Sequence, residues 1–251
     1  MNNPNRFSNL SYRDFANMAK DDRLSRHEKI GFPDSYREGK EQAIFNDIQY
    51  KMQIADIPEN SVILDIGPGC SQLPVLLADF CADKNGKLLL VDSPEMLSLI
   101  PDIEDVTEKH PGYFPDVDSI VNQYHESIHF ILCYSVFHYI FEEGNIWTFL
   151  DETLSLLAEG GALLIGDIPN ISMRKRFFSS PNGIRFHQEF TGSNEVPLTE
   201  FNKIEKQQID DSVLFAIMQR ARSQGFDAYI MPQNRKLPMA NRREDILIRR
   251  P

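Results

Sequence analysis

A chain of 251 residues, 41% hydrophobic and 25% charged, has enough apolar material for a packed core and is unlike a disordered or fibrous polymer. A formal net charge of −11 opposes polyanions, so no nucleic-acid partner is expected and any basic patch has to be local. The opening Met1-Asn2-Asn3-Pro4-Asn5-Arg6 lacks the apolar centre of a secretory signal, and no stretch approaches the roughly 20 apolar residues that span a bilayer, so neither export nor a membrane partner is expected.

At this length an open α/β sheet commonly forms one domain, and the chain reads as one core with elaborations. Residues 1–42 are polar and uneven, with Arg23, Arg26, His27, Lys29, Arg37 and Lys40 around a bend at Gly31 and Pro33. They predict a helical cap or lid ahead of a main domain over 43–251. Ile44, Ile48, Met52 and Ala55 recur at helical spacing until Pro58 breaks the pattern. Val62-Ile63-Leu64-Asp65-Ile66 then reads as a strand buried on both faces of a parallel sheet, and Leu73, Leu76, Leu77 and Phe80 return to helical spacing with Pro74 in the first turn. A second strand is predicted over 87–92, a short helix over 95–100, a third strand near 112–115 and a fourth over 128–136. The helix marked by Ile146, Phe149, Leu150, Thr153, Leu154 and Leu157 is expected to end at Gly160-Gly161, before a fifth strand over 162–167. A polar insert follows over about 169–206, then a helix at Val213, Leu214, Ile217 and Ala221. The last strands, 226–231 and 245–248, have no crossover helix between them, so they should pair antiparallel at the end of an otherwise parallel, doubly wound, seven-stranded α/β sheet with helices on both faces. Cys70, Cys81 and Cys133 are odd in number and lack metal spacing, which points to buried thiols in a reducing cytoplasm.

In such a sheet a ligand sits beyond the carboxyl ends of the strands, where strand order reverses. Gly67 and Gly69 remove side chains where the backbone must bend sharply and let a ligand approach the main chain. Asp92 follows Asp65 by about one βαβ unit, the offset at which an acid accepts hydrogen bonds from both hydroxyls of a ribose, so an adenosine-containing ligand is implied. The same Asp92-Ser93-Pro94-Glu95 also reads as an ordinary helix start. A dinucleotide loop would carry Gly-x-Gly-x-x-Gly, and Gln72 stands where its third glycine belongs.

Asp65-Ile66-Gly67-Pro68-Gly69-Cys70-Ser71 instead resembles the Asp/Glu-x-Gly-x-Gly-x-Gly motif of class I S-adenosylmethionine-dependent methyltransferases, with Ser71 replacing the last glycine. The resemblance extends to Ile131-Leu132-Cys133-Tyr134-Ser135-Val136-Phe137-His138, to Leu157-Ala158-Glu159-Gly160-Gly161 and to the closing hairpin after Gly225, over roughly 43–168 and 209–250. It implies S-adenosylmethionine as cofactor. Asp65, Gly67, Pro68, Gly69, Asp92, Ser93 and Ser135 would then contact the cofactor, with Asp116 reaching the adenine. His129 departs from the Asp that many relatives carry before the fourth strand.

Methyl transfer to a hydroxyl needs alignment and loss of a proton. His138, just after the fourth strand, is the first candidate base, the alternative being that it packs beside Phe137 and Tyr139. Asp167, at the end of the fifth strand, is the second, the alternative being a cap of the following turn. In the insert, Arg174, Arg176, Arg185 and His187 interleave with Phe177, Phe178, Phe186 and Phe190, and suggest a small anionic or sugar-like acceptor, with an intermediate of surface-polysaccharide assembly as one example; the plain alternative is a solvated basic turn. No acids follow the fourth strand at Ser135-Val136-Phe137-His138, so no metal is expected. An NAD(P)-binding oxidoreductase and a cofactor-binding protein without turnover are the competing readings.

Overall fold

The computed structural model describes residues 7, 10–203 and 205–251. Residues 1–6 and 8–9 of the expected cap, and Ile204 of the expected insert, lie outside the described residues.

Three short helices open the described chain: α1 (Tyr12–Ala19), α2 (Arg26–Lys29) and α3 (Asp34–Arg37). Ser11 and Ser25 close the first two with capping boxes, each accepting from the backbone N–H of an acid three residues on whose carboxylate returns the bond. The alternating core then begins with α4 (Glu41–Met52), β1 (Val62–Ile66), α5 (Leu73–Asp83), β2 (Lys87–Asp92), α6 (Pro94–Leu97), β3 (Thr107–Pro111), α7 (Asp118–Val121) and β4 (Ile128–Tyr134). It continues through α8 (Phe137–Glu143), α9 (Ile146–Leu156), β5 (Leu157–Pro169), α10 (Ile171–Phe178), α11 (Pro181–Thr191), α12 (Asp211–Ser223), β6 (Asp227–Pro232) and β7 (Arg243–Arg249).

The seven strands form one sheet in the order β3-β2-β1-β4-β5-β7-β6. β1 through β5 pair in parallel, and β7 runs antiparallel to both β5 and β6. Side-chain alternation divides the core. Leu64, Ile66, Leu89, Val91, Ile131, Cys133, Leu163 and Ile165 face one side, under α8, α9 and α12. Ile63, Leu88, Leu90, Phe130, Leu132 and Leu164 face the other, under α4 and α5. The three cysteines are free and buried. Among the described residues no helix is long and apolar enough to cross a membrane.

Two expectations are corrected. The third strand lies at Thr107–Pro111, ahead of residues 112–115; its polar Thr107, Glu108 and Lys109 occupy the edge position beside β2, where burial does not demand an apolar run. Gly160 and Gly161 do not end α9. Leu157 already pairs with Ile128, and the glycines lie inside β5 where the register shifts, Gly160 at φ 74°. The insert carries two helices: Asn170 caps α10 by accepting from the Ser172 and Met173 N–H groups, and Ser180 caps α11 by accepting from the Gly183 N–H.

Candidate active site

β1 and β4 are neighbours from which the chain winds outward in opposite directions, so strand order reverses at their carboxyl ends. The loop after β1 lies there, with Gly67 at φ 70° and Gly69 at φ 63°. A Cβ on either would meet a packed side chain at 2.6 Å, Val136 at Gly67 and Ile30 at Gly69, so conformation and space both require glycine. The Gly69 N–H donates to Asp92 Oδ2 at 3.1 Å, and the Ser93 N–H donates to Asp92 Oδ1 at 2.7 Å. Burial pushes the Asp92 carboxyl up to about 6, against those two stabilising donors. Ser93 Oγ accepts from the Met96 N–H at 3.2 Å and starts α6. Asp92 thus ties the first loop to the second strand, and each of its oxygens retains a lone pair for a further donor.

The cavity over this loop is lined by Gly67, Pro68, Gly69, Asp92 and Ser135 from the sheet side and by Tyr12, Phe15, Ile30, Phe32 and Arg37 from the cap. The cap is held down by Tyr12, whose hydroxyl donates to the Gly112 carbonyl at 3.1 Å, by the Lys20–Glu95 ion pair at 2.6 Å, and by Phe15 edge-on to Tyr139 at 5.0 Å between ring centroids. Arg37 is buried, stacks 4.7 Å from the Phe32 ring centroid and donates from Nη2 to Ser135 Oγ at 3.3 Å, while its Nε has no partner. A buried guanidinium this sparsely paired is a ready anion receptor. The enclosed space is about 110 Å³.

Ser135 lines the lateral wall of the cavity, and Asp167 backs it. Ser135 Oγ donates to Asp167 Oδ2 at 2.5 Å, Arg243 Nη1 donates to the same oxygen at 2.9 Å, and Gln233 Nε2 donates to Oδ1 at 3.2 Å. Behind them the Asp167 N–H donates to Asp245 Oδ1 at 2.8 Å, and Lys51 Nζ bonds Asp245 and Asp47 at 2.5 Å each. A continuous polar network therefore runs from α4 beneath the sheet to Arg37 at the cavity.

Of the residues expected at a cofactor, Gly67, Pro68, Gly69, Asp92 and Ser135 line one cavity, and Ser93 lies directly behind it. Asp65 does not line it. It is buried beneath the loop with Oδ2 unpartnered, and burial, then the Asp92 charge, pushes its carboxyl up to about 8. Asp116 is exposed and outside the cavity, which Gly112, Tyr113 and Phe114 line instead. His138 is outside as well: burial, then Arg243, lowers its imidazole to about 3, and Nδ1 is buried without a partner. Asp167 has its oxygens committed to three donors, which makes it an anchor rather than a free base. In the insert, Arg176 is spent on an ion pair with Asp211 at 2.5 Å and Arg185 bonds Asn182, so neither is directed at an acceptor. Arg174 stacks 5.2 Å from the Phe178 ring centroid, and His187 lines a separate cavity. Tyr12, Arg37, Tyr113, Tyr139 and Arg243 were not among the expected site residues. They come from the cap, the segment after β3, α8 and β7, and only the basic run containing Arg37 gave any signal. Among the described residues no group of three or more His, Cys, Asp or Glu side chains is placed to hold a metal.

No protein-family model matches the chain, and no curated protein does. Solved structures do. A methyltransferase from a complex with a Haloferax volcanii methyltransferase activator superposes with a TM-score of 0.56 at 14% identity, over 95% of this chain and 98% of its own. The plantazolicin methyltransferase BpumL, solved with a monoazolic substrate analogue and SAH, gives 0.57 at 12% identity over 86% of each chain. The CurJ carbon methyltransferase gives 0.55 at 14% identity, over 86% of this chain and 57% of its own. At these identities the likeness is one of fold, and the chain has the class I S-adenosylmethionine-dependent methyltransferase fold.

Proposed function

We propose that this protein transfers a methyl group from S-adenosylmethionine to an oxygen of a small anionic or sugar-like molecule in the cytoplasm. The observation that carries this reading is the Gly69–Asp92 hydrogen bond at the strand-order reversal, which sets a carboxylate at a cavity whose floor is bare glycine backbone. The residues present fit the cofactor. Asp92 would take the ribose hydroxyls, the backbone from Gly67 to Gly69 would run along the methionyl portion, and the unpartnered Nε of Arg37 would meet the carboxylate. The bound cofactor supplies an electrophilic methyl on a positively charged sulfur.

The chain's own part is alignment. The residues around the cavity would hold an acceptor oxygen in line with the methyl group that the bound cofactor would supply, and any acceptor proton would leave to solvent or a base. The groups lining the cavity are poor bases: burial holds the Tyr12 and Tyr139 hydroxyls near 12, and Asp92 is engaged. His138 stays neutral and holds a transferred proton weakly. The acceptor's own acidity therefore sets the rate, which favours an oxygen that ionises readily, and no metal is called for. The domain division follows the same logic, with 1–42 acting as a lid over the remainder.

The methyltransferase folds among the neighbours support this reading over an NAD(P)-dependent oxidoreductase, as does Gln72, which starts α5 where a dinucleotide loop needs its third glycine. Incubation with methyl-labelled S-adenosylmethionine and a panel of hydroxy and carboxylic acids, with and without EDTA, tests it. Label should enter an acceptor equally in both conditions. Tight cofactor binding with no transfer to any acceptor favours the non-catalytic reading, and EDTA-sensitive transfer refutes metal independence.

A further inference from the structure

A second cavity, of about 470 Å³, is chemically unlike the first. Lys40, Arg235, Lys236 and Arg242 line it, no Asp or Glu does, and the chain as a whole carries −11. Among the described residues none of these four cations makes an ion pair. Lys40, Arg235 and Lys236 are exposed around the mouth, and Arg242 is half-buried, its one side-chain hydrogen bond being to Asn241 Oδ1 at 3.1 Å. Burial, with Arg243 and Arg174 as like-charged neighbours, lowers the guanidinium of Arg242 against the opposing pull of Tyr36 and Asp167, and among the described residues no carboxylate pairs with it directly.

The opposite wall is aromatic. Phe178 is buried, and Phe186 and Phe190 are stacked at 6.2 Å with an interplanar angle of 8°. Phe190 is 67% and Phe186 39% exposed, a large apolar area left uncovered beside four unpaired cations. Consecutive residues connect the surroundings of the two cavities. Tyr36 lines the second and Arg37 the first, and Arg242 of the second is followed by Arg243, which holds Asp167 against Ser135 of the first.

We propose that the second cavity is the acceptor site and that the acceptor is an organic acid with a ring-sized apolar body. Its carboxylate or phosphate is held by Arg242 after attraction by Lys40, Arg235 and Lys236, and its body lies against Phe178, Phe186 and Phe190. The volume lies within the roughly 300–1,000 Å³ of small-molecule pockets. This assignment rests on the first cavity being the methyl-donor site. It also replaces Arg176 and Arg185 by cations of the cap and of the β6–β7 connection.

The test is calorimetric binding of 2-naphthoate, phenyl phosphate and neutral 2-naphthamide to the full chain saturated with S-adenosylhomocysteine. The acids should bind at least about tenfold more tightly than the amide, matching one charge-assisted contact. Arg242→Gln should erase that difference without changing S-adenosylhomocysteine affinity. The exposed pair Arg235→Gln and Lys236→Gln should weaken the acids severalfold more at low salt than at high salt. Equal binding of acid and amide, absence of binding by both acids, or indifference to Arg242→Gln would overturn the assignment. Loss of S-adenosylhomocysteine binding by the unaltered chain would instead overturn the donor-site reading.

Discussion

Ser135 and Asp167 hold each other across the carboxyl ends of β4 and β5 by a 2.5 Å hydrogen bond, and both sit in the left-handed backbone region, at φ 62° and 58°. Neither is glycine, so each position costs backbone energy that the surrounding contacts must offset. The Ser135 N–H donating to the Gly166 carbonyl at 3.0 Å and the Arg243 guanidinium on Asp167 provide those contacts. Ser135→Ala and Ser135→Gly both delete the hydroxyl, but only glycine relieves the backbone. Ser135→Gly should therefore be the more stable of the two by about 1 kcal/mol in urea unfolding. An alanine variant as stable as the glycine variant would show that the strain is not real.

Asp92 should govern cofactor affinity through its charge. Its carboxyl, held near 6 by burial, accepts freely on both oxygens and carries its charge only when ionised, so S-adenosylmethionine affinity should be level between pH 7 and 8 and decline below 6. Asp92→Ala should cost about tenfold to a hundredfold in affinity, the range for lost hydrogen bonds to a charged group. Calorimetry across pH on both proteins decides it, and a flat profile with unchanged affinity in the variant would remove Asp92 from the site.

Asp65 makes the opposite kind of prediction, about stability. Its folded carboxyl, held near 8, keeps a proton that the unfolded chain releases near pH 4. Stability from this group is complete below about pH 4 and is lost as pH rises through 8, at no more than about 1.4 kcal/mol per pH unit. Asp65→Asn should flatten that dependence while the protein stays folded. An identical pH dependence in both proteins would place the titration elsewhere.

Lys51 bridges Asp47 and Asp245, all three buried. Burial raises the Asp245 carboxyl while Lys51 opposes the rise. Lys51→Met leaves two buried carboxylates without their cation and should cost about 3–5 kcal/mol, partly recovered as pH falls and the carboxylates take up protons. A loss under about 1 kcal/mol in chemical unfolding would contradict this.

Much of the sheet was legible because β1, β2, β4 and β5 are buried on both faces and must be written as apolar runs, with glycine where the chain turns. The edge strand β3 carries no such pressure, and its position was missed. The glycine loop after β1 was legible because Gly67, Gly69 and Asp92 are local signals at fixed offsets. The lateral wall was not. Ser135, Asp167, Gln233, Arg243 and Arg37 are scattered over about two hundred positions, and nothing in their spacing shows that they share one network. In the insert, charge and aromatic content marked a real region but not its geometry: Arg176 turned to Asp211, while the unpaired Arg242 came from a connection that reads as an ordinary loop.

The cavity above Gly67 and Gly69 is proposed to hold S-adenosylmethionine, and titration calorimetry of the unaltered chain with S-adenosylmethionine, NAD and NADP in turn decides it. Saturable one-to-one binding of S-adenosylmethionine and none of either dinucleotide is expected; saturable NAD or NADP binding without S-adenosylmethionine binding would refute the proposal.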